Sequence, residues 1–148
     1  MKVIDTYNAI LGAAVAVLSY ILGEYWILFA LFLGLNIIDW LTGWIKAKIT
    51  GSESSKTGLI GILKKFAYWM VVIASFSLSA AFVEVGKIID MDLGVTTLLG
   101  WFVLASFLVN EGRSICENFV EMGVEVPKVL VKGLQVANKV VNQEDDNE

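Results

Sequence analysis

Apolar and polar positions fall in long blocks along this chain, without the tight alternation of a half-buried soluble helix. Residues 25–45, 66–83 and 93–109 are almost wholly apolar, and a further apolar stretch at 9–22 reaches about 20 residues when read back through Asn8 and Asp5. A helix rises about 1.5 Å per residue, so crossing a hydrocarbon core of about 30 Å takes about 20 largely apolar residues. The blocks predict an all-α integral membrane protein with four spans, at about 5–22, 25–45, 66–83 and 93–109. If only 9–22 counts, the first segment is interfacial and three spans remain. The stretch Tyr20-Ile21-Leu22-Gly23-Glu24-Tyr25 offers no small-x-small cleavage site, which argues against a removed signal, and Gly23-Glu24 reads as a tight turn between antiparallel helices.

Beyond the fourth block the pattern becomes amphipathic. Leu108, Ile115, Phe119 and Met122 make an apolar stripe beside Asn110, Ser114, Glu117 and Glu121, so the helix continues out of the membrane until Gly123. Pro127 suits the first turn of a new helix. That helix sets Val129, Leu130, Gly133, Leu134, Ala137 and Val140 against Lys128, Lys132, Gln135, Lys139 and Asn142. It is basic and amphipathic, fit to lie on the membrane surface or to pack against its counterparts in an assembly. The expected organisation is a membrane domain at 1–109, a cytoplasmic helical region at 110–142 and an acidic tail at 143–148.

Composition agrees, since 57% hydrophobic and 18% charged residues are too apolar a mixture for a soluble domain of this length. The net charge of −4 says less than its arrangement. Lys46, Lys48, Lys56, Lys64 and Lys65 lie between the second and third blocks, whereas 84–92 holds only Lys87. The positive-inside rule makes the lysine-rich loop cytoplasmic, and with four spans both termini are cytoplasmic too. Trp26 at one end of the second block, Trp40 and Trp44 at the other, and Tyr68 and Trp69 opening the third suit an aromatic belt.

Catalysis is not expected. Cys116 is the only cysteine and there is no histidine, which removes an intrachain disulfide, a zinc cluster, a catalytic triad and a histidine switch. No metal or other cofactor is expected, and nothing points to nucleic acid. Residues 51–58 superficially resemble a phosphate loop, but the Gly before Lys56 is missing and no strand precedes it. They read as a solvated turn, with Gly58 and Gly61 permitting close backbone approach.

The chemistry that stands out is intramembrane. Asn36, Asp39, Gly43 and Lys46 or Ala47 recur at helical spacing as one polar and small stripe. An unpaired Asp at mid-bilayer costs about 2.5–3.5 kcal/mol on insertion scales. Asp39 lies only about 9 Å from the cytoplasmic end of its span at Ile45, which lowers that cost. It either pairs with Lys46, Lys64 or Lys65 to hold spans together, or turns toward water or other copies. Small residues that let helices approach sit at Gly12 and Ala16, at Ala74, Ser77 and Ala81 with Ser75 and Ser79 beside them, and at Thr96 and Gly100.

Three pieces in order resemble one family: Asp39-x-x-Thr42-Gly43-x-x-x-Ala47; Ser55-x-x-Gly58-x-x-Gly61-x-x-Lys64-Lys65; and Asn110-Glu111-x-x-x-Ile115-x-Glu117-Asn118 followed by Gly123-Val124-x-Val126-Pro127-Lys128. The chain is similar there to the toxin-secretion and phage-lysis holins of Gram-positive bacteria and their phages. The resemblance implies a protein that accumulates in the bacterial cell membrane, associates with itself and opens lesions for a folded cargo, either a phage endolysin or a large exotoxin. It carries over Asp39, Thr42, Gly43, Lys64, Lys65, Asn110, Glu111, Glu117 and Asn118 as matched positions, and with Asn36 and Arg113 these are candidate assembly or pore determinants. Glu111, Arg113 and Glu117 are expected to form local or intersubunit ion pairs. Two other classes compete: a small multidrug-type or ion transporter built around Asp39, and a scaffold that recruits a soluble partner through residues 111–142.

Overall fold

The computed structural model of the protein describes residues 6, 8–13, 15, 16, 23 and 25–142. Half of the expected first span and the whole acidic tail lie outside these residues; those described at 6, 8–13, 15 and 16 are helical. Residues 1–34 and 35–148 form two compact units. Among the described residues the helices are α1 (Trp26–Thr50), α2 (Ser55–Ile88), α3 (Leu98–Glu121) and α4 (Lys128–Asn142), with a 3₁₀ turn at Gly94–Thr97 leading into α3.

Three helical segments, Trp26–Thr50, Ser55–Ile88 and Gly94–Glu121, are long and apolar enough to cross a membrane. The chain is a multi-pass membrane protein. Its helices outrun the apolar blocks. At 34 residues α2 is about 51 Å long, well over the hydrocarbon thickness, and its first turns belong to what reads in the sequence as a loop. Helix formation there starts at Ser54, whose hydroxyl accepts from the Thr57 amide as an N-cap. Gly58 and Gly61 are helical with open space around them, so close approach is not their use in the protomer.

Three helices end in the same way. After α1, Gly51 turns left-handed (φ 67°) and the Ser52 amide returns to the Ala47 carbonyl at 3.0 Å. After α3, Gly123 (φ 80°) does the same, with Val124 N–H on the Phe119 carbonyl at 2.9 Å. After α2 the left-handed position falls to Asp90 (φ 55°), and Met91 N–H bonds the Gly86 carbonyl at 2.9 Å. These are Schellman closures, satisfying carbonyls that a helix end leaves open; Asp is among the few non-glycine residues that tolerate the conformation.

The packing of α2 on α3 is antiparallel. Ser79 meets Gly100, whose amide donates to the Ser79 hydroxyl at 3.3 Å. Phe76 meets Trp101 edge-on at 4.9 Å, Tyr68 stacks on Phe107 at 4.6 Å, and Lys65 reaches Glu111. Val72, Ser75, Ser79 and Leu104 are buried along this seam. Of the small residues on α2, then, Ser75 and Ser79 make the contact, while Ala74, Ser77 and Ala81 stay exposed. The outer surface is apolar, with Ile73, Phe66 and Leu63 all exposed, as side chains facing lipid must be.

Candidate functional site

One side of α1 places Asp39 and Thr42 a turn apart, one side of α3 places Glu111 and Asn118 two turns apart, and α2 brings Lys65 between them. The result is a closed polar network. Lys65 Nζ lies 2.8 Å from Asp39 Oδ2 and also contacts Glu111 Oε2. Asn118 Nδ2 donates to Asp39 Oδ1 at 3.0 Å and to Thr42 Oγ1 at 3.1 Å. Thr42 Oγ1 in turn donates to the Asp39 carbonyl at 3.1 Å. Both carboxylate oxygens of Asp39 are therefore engaged, one by an ammonium and one by an amide.

Burial explains why such closure is needed. Glu111 is 3% exposed, and Thr42 and Asn118 are each 6% exposed. A charge this far from water persists only when paired and hydrogen-bonded, because desolvation costs several kcal/mol per ion. The network ties three helices together at one level. Lys46 and Glu121 pair at 3.4 Å further along, near the surface.

The candidate residues divide cleanly. Asp39, Thr42, Lys65, Glu111 and Asn118 converge, and Asn36 is buried on α1 one turn before Asp39. Gly43 lies under Asn118, but a Cβ there would stand 3.6 Å from the amide, an ordinary contact, so the protomer does not require glycine. Lys64, Asn110, Arg113 and Glu117 are exposed. Arg113 and Glu117 form a surface pair at 3.2 Å, a kind worth about 0–1 kcal/mol. Of the three lysines in reach of Asp39 by sequence, Lys65 is the one that pairs with it.

By pattern Asn110, Ser114, Glu117 and Glu121 read as the polar side of α3, and Glu111 and Asn118 stood out only as positions matched by the family resemblance. The signal was the seven-residue recurrence Leu104, Glu111, Asn118, all buried on one stripe. Among the described residues no group of three or more His, Cys, Asp or Glu is placed to hold a metal ion.

Asn118→Ala tests the amide's part. It would leave Asp39 Oδ1 and the Thr42 hydroxyl short of a donor in a buried place, a loss of about 1–3 kcal/mol. The expected result is a lower midpoint in denaturant titration of the detergent-solubilised protein, with helicity retained at low denaturant.

Comparison with known proteins bears on what this network belongs to. Residues 16–139 match the Bacteriophage holin family. The chain belongs to that family. Among its relatives, a probable holin of Bacillus phage phi105 is 33% identical over 118 residues, covering 80% of this chain and 78% of that protein. An uncharacterized protein of Halalkalibacterium halodurans is 34% identical over 128 residues, covering 86% of this chain and 88% of that protein. A third, from Clostridium perfringens, is 31% identical over 106 residues, covering 71% and 70%. No solved structure matches. The matched region of this holin-family chain contains every residue of the polar network.

Proposed function

We propose that this protein acts as a holin: it accumulates in the bacterial cytoplasmic membrane, self-associates, and opens a lesion through which a folded cargo leaves. Family membership over residues 16–139 carries the reading. The cargo class is an endolysin in a phage setting or a large exotoxin in a toxin locus. The lysine-rich end of α1 and start of α2, with Lys46, Lys48, Lys56 and Lys64, face the cytoplasm by the positive-inside rule.

The network suggests how a harmless protomer is kept. With Asp39, Lys65, Glu111 and Asn118 satisfying one another, each copy offers lipid an apolar exterior and accumulates without leak. Opening requires helices of many copies to line water, because three or four spans are too thin to enclose a protein-sized hole. In that assembly the polar stripe on α1 exchanges internal partners for water or for neighbouring helices. Association of many copies depends steeply on concentration, which supplies the delay of a lysis clock.

The reading is tested by reconstituting the protein at rising protein-to-lipid ratio into vesicles loaded with a small dye and a folded fluorescent protein. Release of both above a threshold ratio is expected. Release of dye alone at every ratio would favour a narrow channel or transporter, and no release from vesicles containing inserted protein would leave the scaffold reading.

A further inference from the structure

We propose that the outward face of α4 is a binding surface for anionic phospholipid headgroups, which the helix enters C-terminal end first. The proposal rests on the multi-pass topology with a cytoplasmic α3–α4 end, and not on hole formation.

The sequence of α4 gives it two neighbouring stripes. At 100° per residue, Lys128, Lys132 and Lys139 cluster along one line, and Val129, Val136 and Val140 along another about 80° round the helix. Between Lys128 and Asn142 there is no acidic residue. The fold then settles which side is covered. Leu134 packs over Gly112 of α3, where a Cβ would stand 3.1 Å from its methyl, and Leu134, Ala137, Asn138 and Val141 are half-buried. The valine stripe points the other way, with Val129 83%, Val136 62% and Val140 68% exposed, and the three lysines are exposed beside it.

Position supplies the partner. The chain reverses through Gly123, so α4 runs back along α3, and its Leu134 comes level with Gly112. Gly112 adjoins Glu111, in the network that sits where the charge-free runs 66–83 and 93–109 end. The second half of α4 is therefore returned to the inner edge of the bilayer. Lys139, five residues past Leu134, lies about 7.5 Å further along the α4 axis in that direction. Valines at that depth enter the boundary between headgroups and acyl chains, and lysines beside them reach phosphate oxygens by snorkelling. A second copy is a poorer occupant, because its equivalent face would bring lysines against lysines with no carboxylate on the helix to receive them.

The test uses the full chain in a Cys116→Ser background, carrying an environment-sensitive fluorophore at Val129→Cys or Val140→Cys. Each protein is reconstituted into vesicles of phosphatidylcholine alone or mixed with phosphatidylglycerol, and probe depth is read by quenching with brominated lipids. Quenching at position 140 should exceed that at 129 by several-fold in the anionic vesicles, and should fall when phosphatidylglycerol is left out. Because the same protein is read in both lipids, misfolding cannot mimic the difference. Lys132→Glu with Lys139→Glu should erase it. Equal or absent quenching at the two positions, indifference to lipid charge, or shielding that instead rises with protein density, as contact between copies would produce, would each overturn the proposal.

Discussion

Lys65→Met is expected to be the most damaging single substitution in the protein, lowering its stability in detergent by about 3–5 kcal/mol, the usual cost of removing one partner from a buried ion pair. Among the described residues Lys65 is the one cation in contact with Asp39 and Glu111, and Glu111 is almost completely buried. Without the ammonium, two carboxylates face each other with no compensating charge. Glu111→Gln should be far milder, since it leaves one acid for one base and keeps a hydrogen-bond acceptor for Lys65. The triple variant Asp39→Asn, Lys65→Met, Glu111→Gln should recover much of the loss, because a site with no buried charge has none to leave unpaired. Denaturant titration of the four proteins gives the ranking. A Lys65→Met protein as stable as wild type would mean that the network does not hold the helices.

The next largest loss, from an unrelated cause, is expected for Gly100→Ala. Its new Cβ would stand 2.6 Å from Cδ1 and 2.7 Å from Cγ of Phe76, closer than real atoms approach. The contact lies at the root of the ring, and the ring is held edge-on against Trp101, so a flexible tip cannot simply swing aside. Relief requires α2 and α3 to separate, breaking the Gly100 to Ser79 hydrogen bond as they do. Overpacking of this kind costs about 1–3 kcal/mol. A partner substitution identifies the mechanism: Phe76→Ala, which removes the clashing atoms, should cost stability alone yet cost less in the presence of Gly100→Ala, giving a favourable coupling in a double-mutant cycle. Additive losses would show that the two sites do not share that space.

What the sequence made legible follows from which signals have a single physical meaning. Apolar runs of 17 to 21 residues have few explanations other than a span, and the three described long helices lie over them. Gly123 and Pro127 mark backbone geometry that few other residues supply, and α3 ends and α4 begins beside them. The family pieces mattered because they pinned positions, not properties.

The inner side of each span was harder to read. In lipid, both faces of a helix are apolar, so periodicity does not tell protein from lipid, and Ala74, Ser77 and Ala81 looked as fit for contact as Ser75 and Ser79. The same ambiguity ran the other way on α3. A polar residue near the membrane edge marks either water or a buried network, and Asn110 and Glu111, adjacent in sequence, took opposite fates. The choice of Lys65 over Lys46 or Lys64 depended on where α2 begins and which way it is rotated. That start, capped by Ser54 eleven residues before the apolar block, lay in a polar stretch that reads equally well as loop.

The holin account is tested most directly in cells, by inducing the protein beside a folded cytoplasmic reporter enzyme and recording membrane potential and reporter release together, for wild type and Asp39→Asn. The account predicts a silent interval, then abrupt depolarisation with simultaneous escape of the folded enzyme, and an altered onset in the variant because the network that keeps the protomer closed has lost its Asp39 charge. Depolarisation with the enzyme retained, or a fully polarised cell containing well-inserted protein, would contradict it.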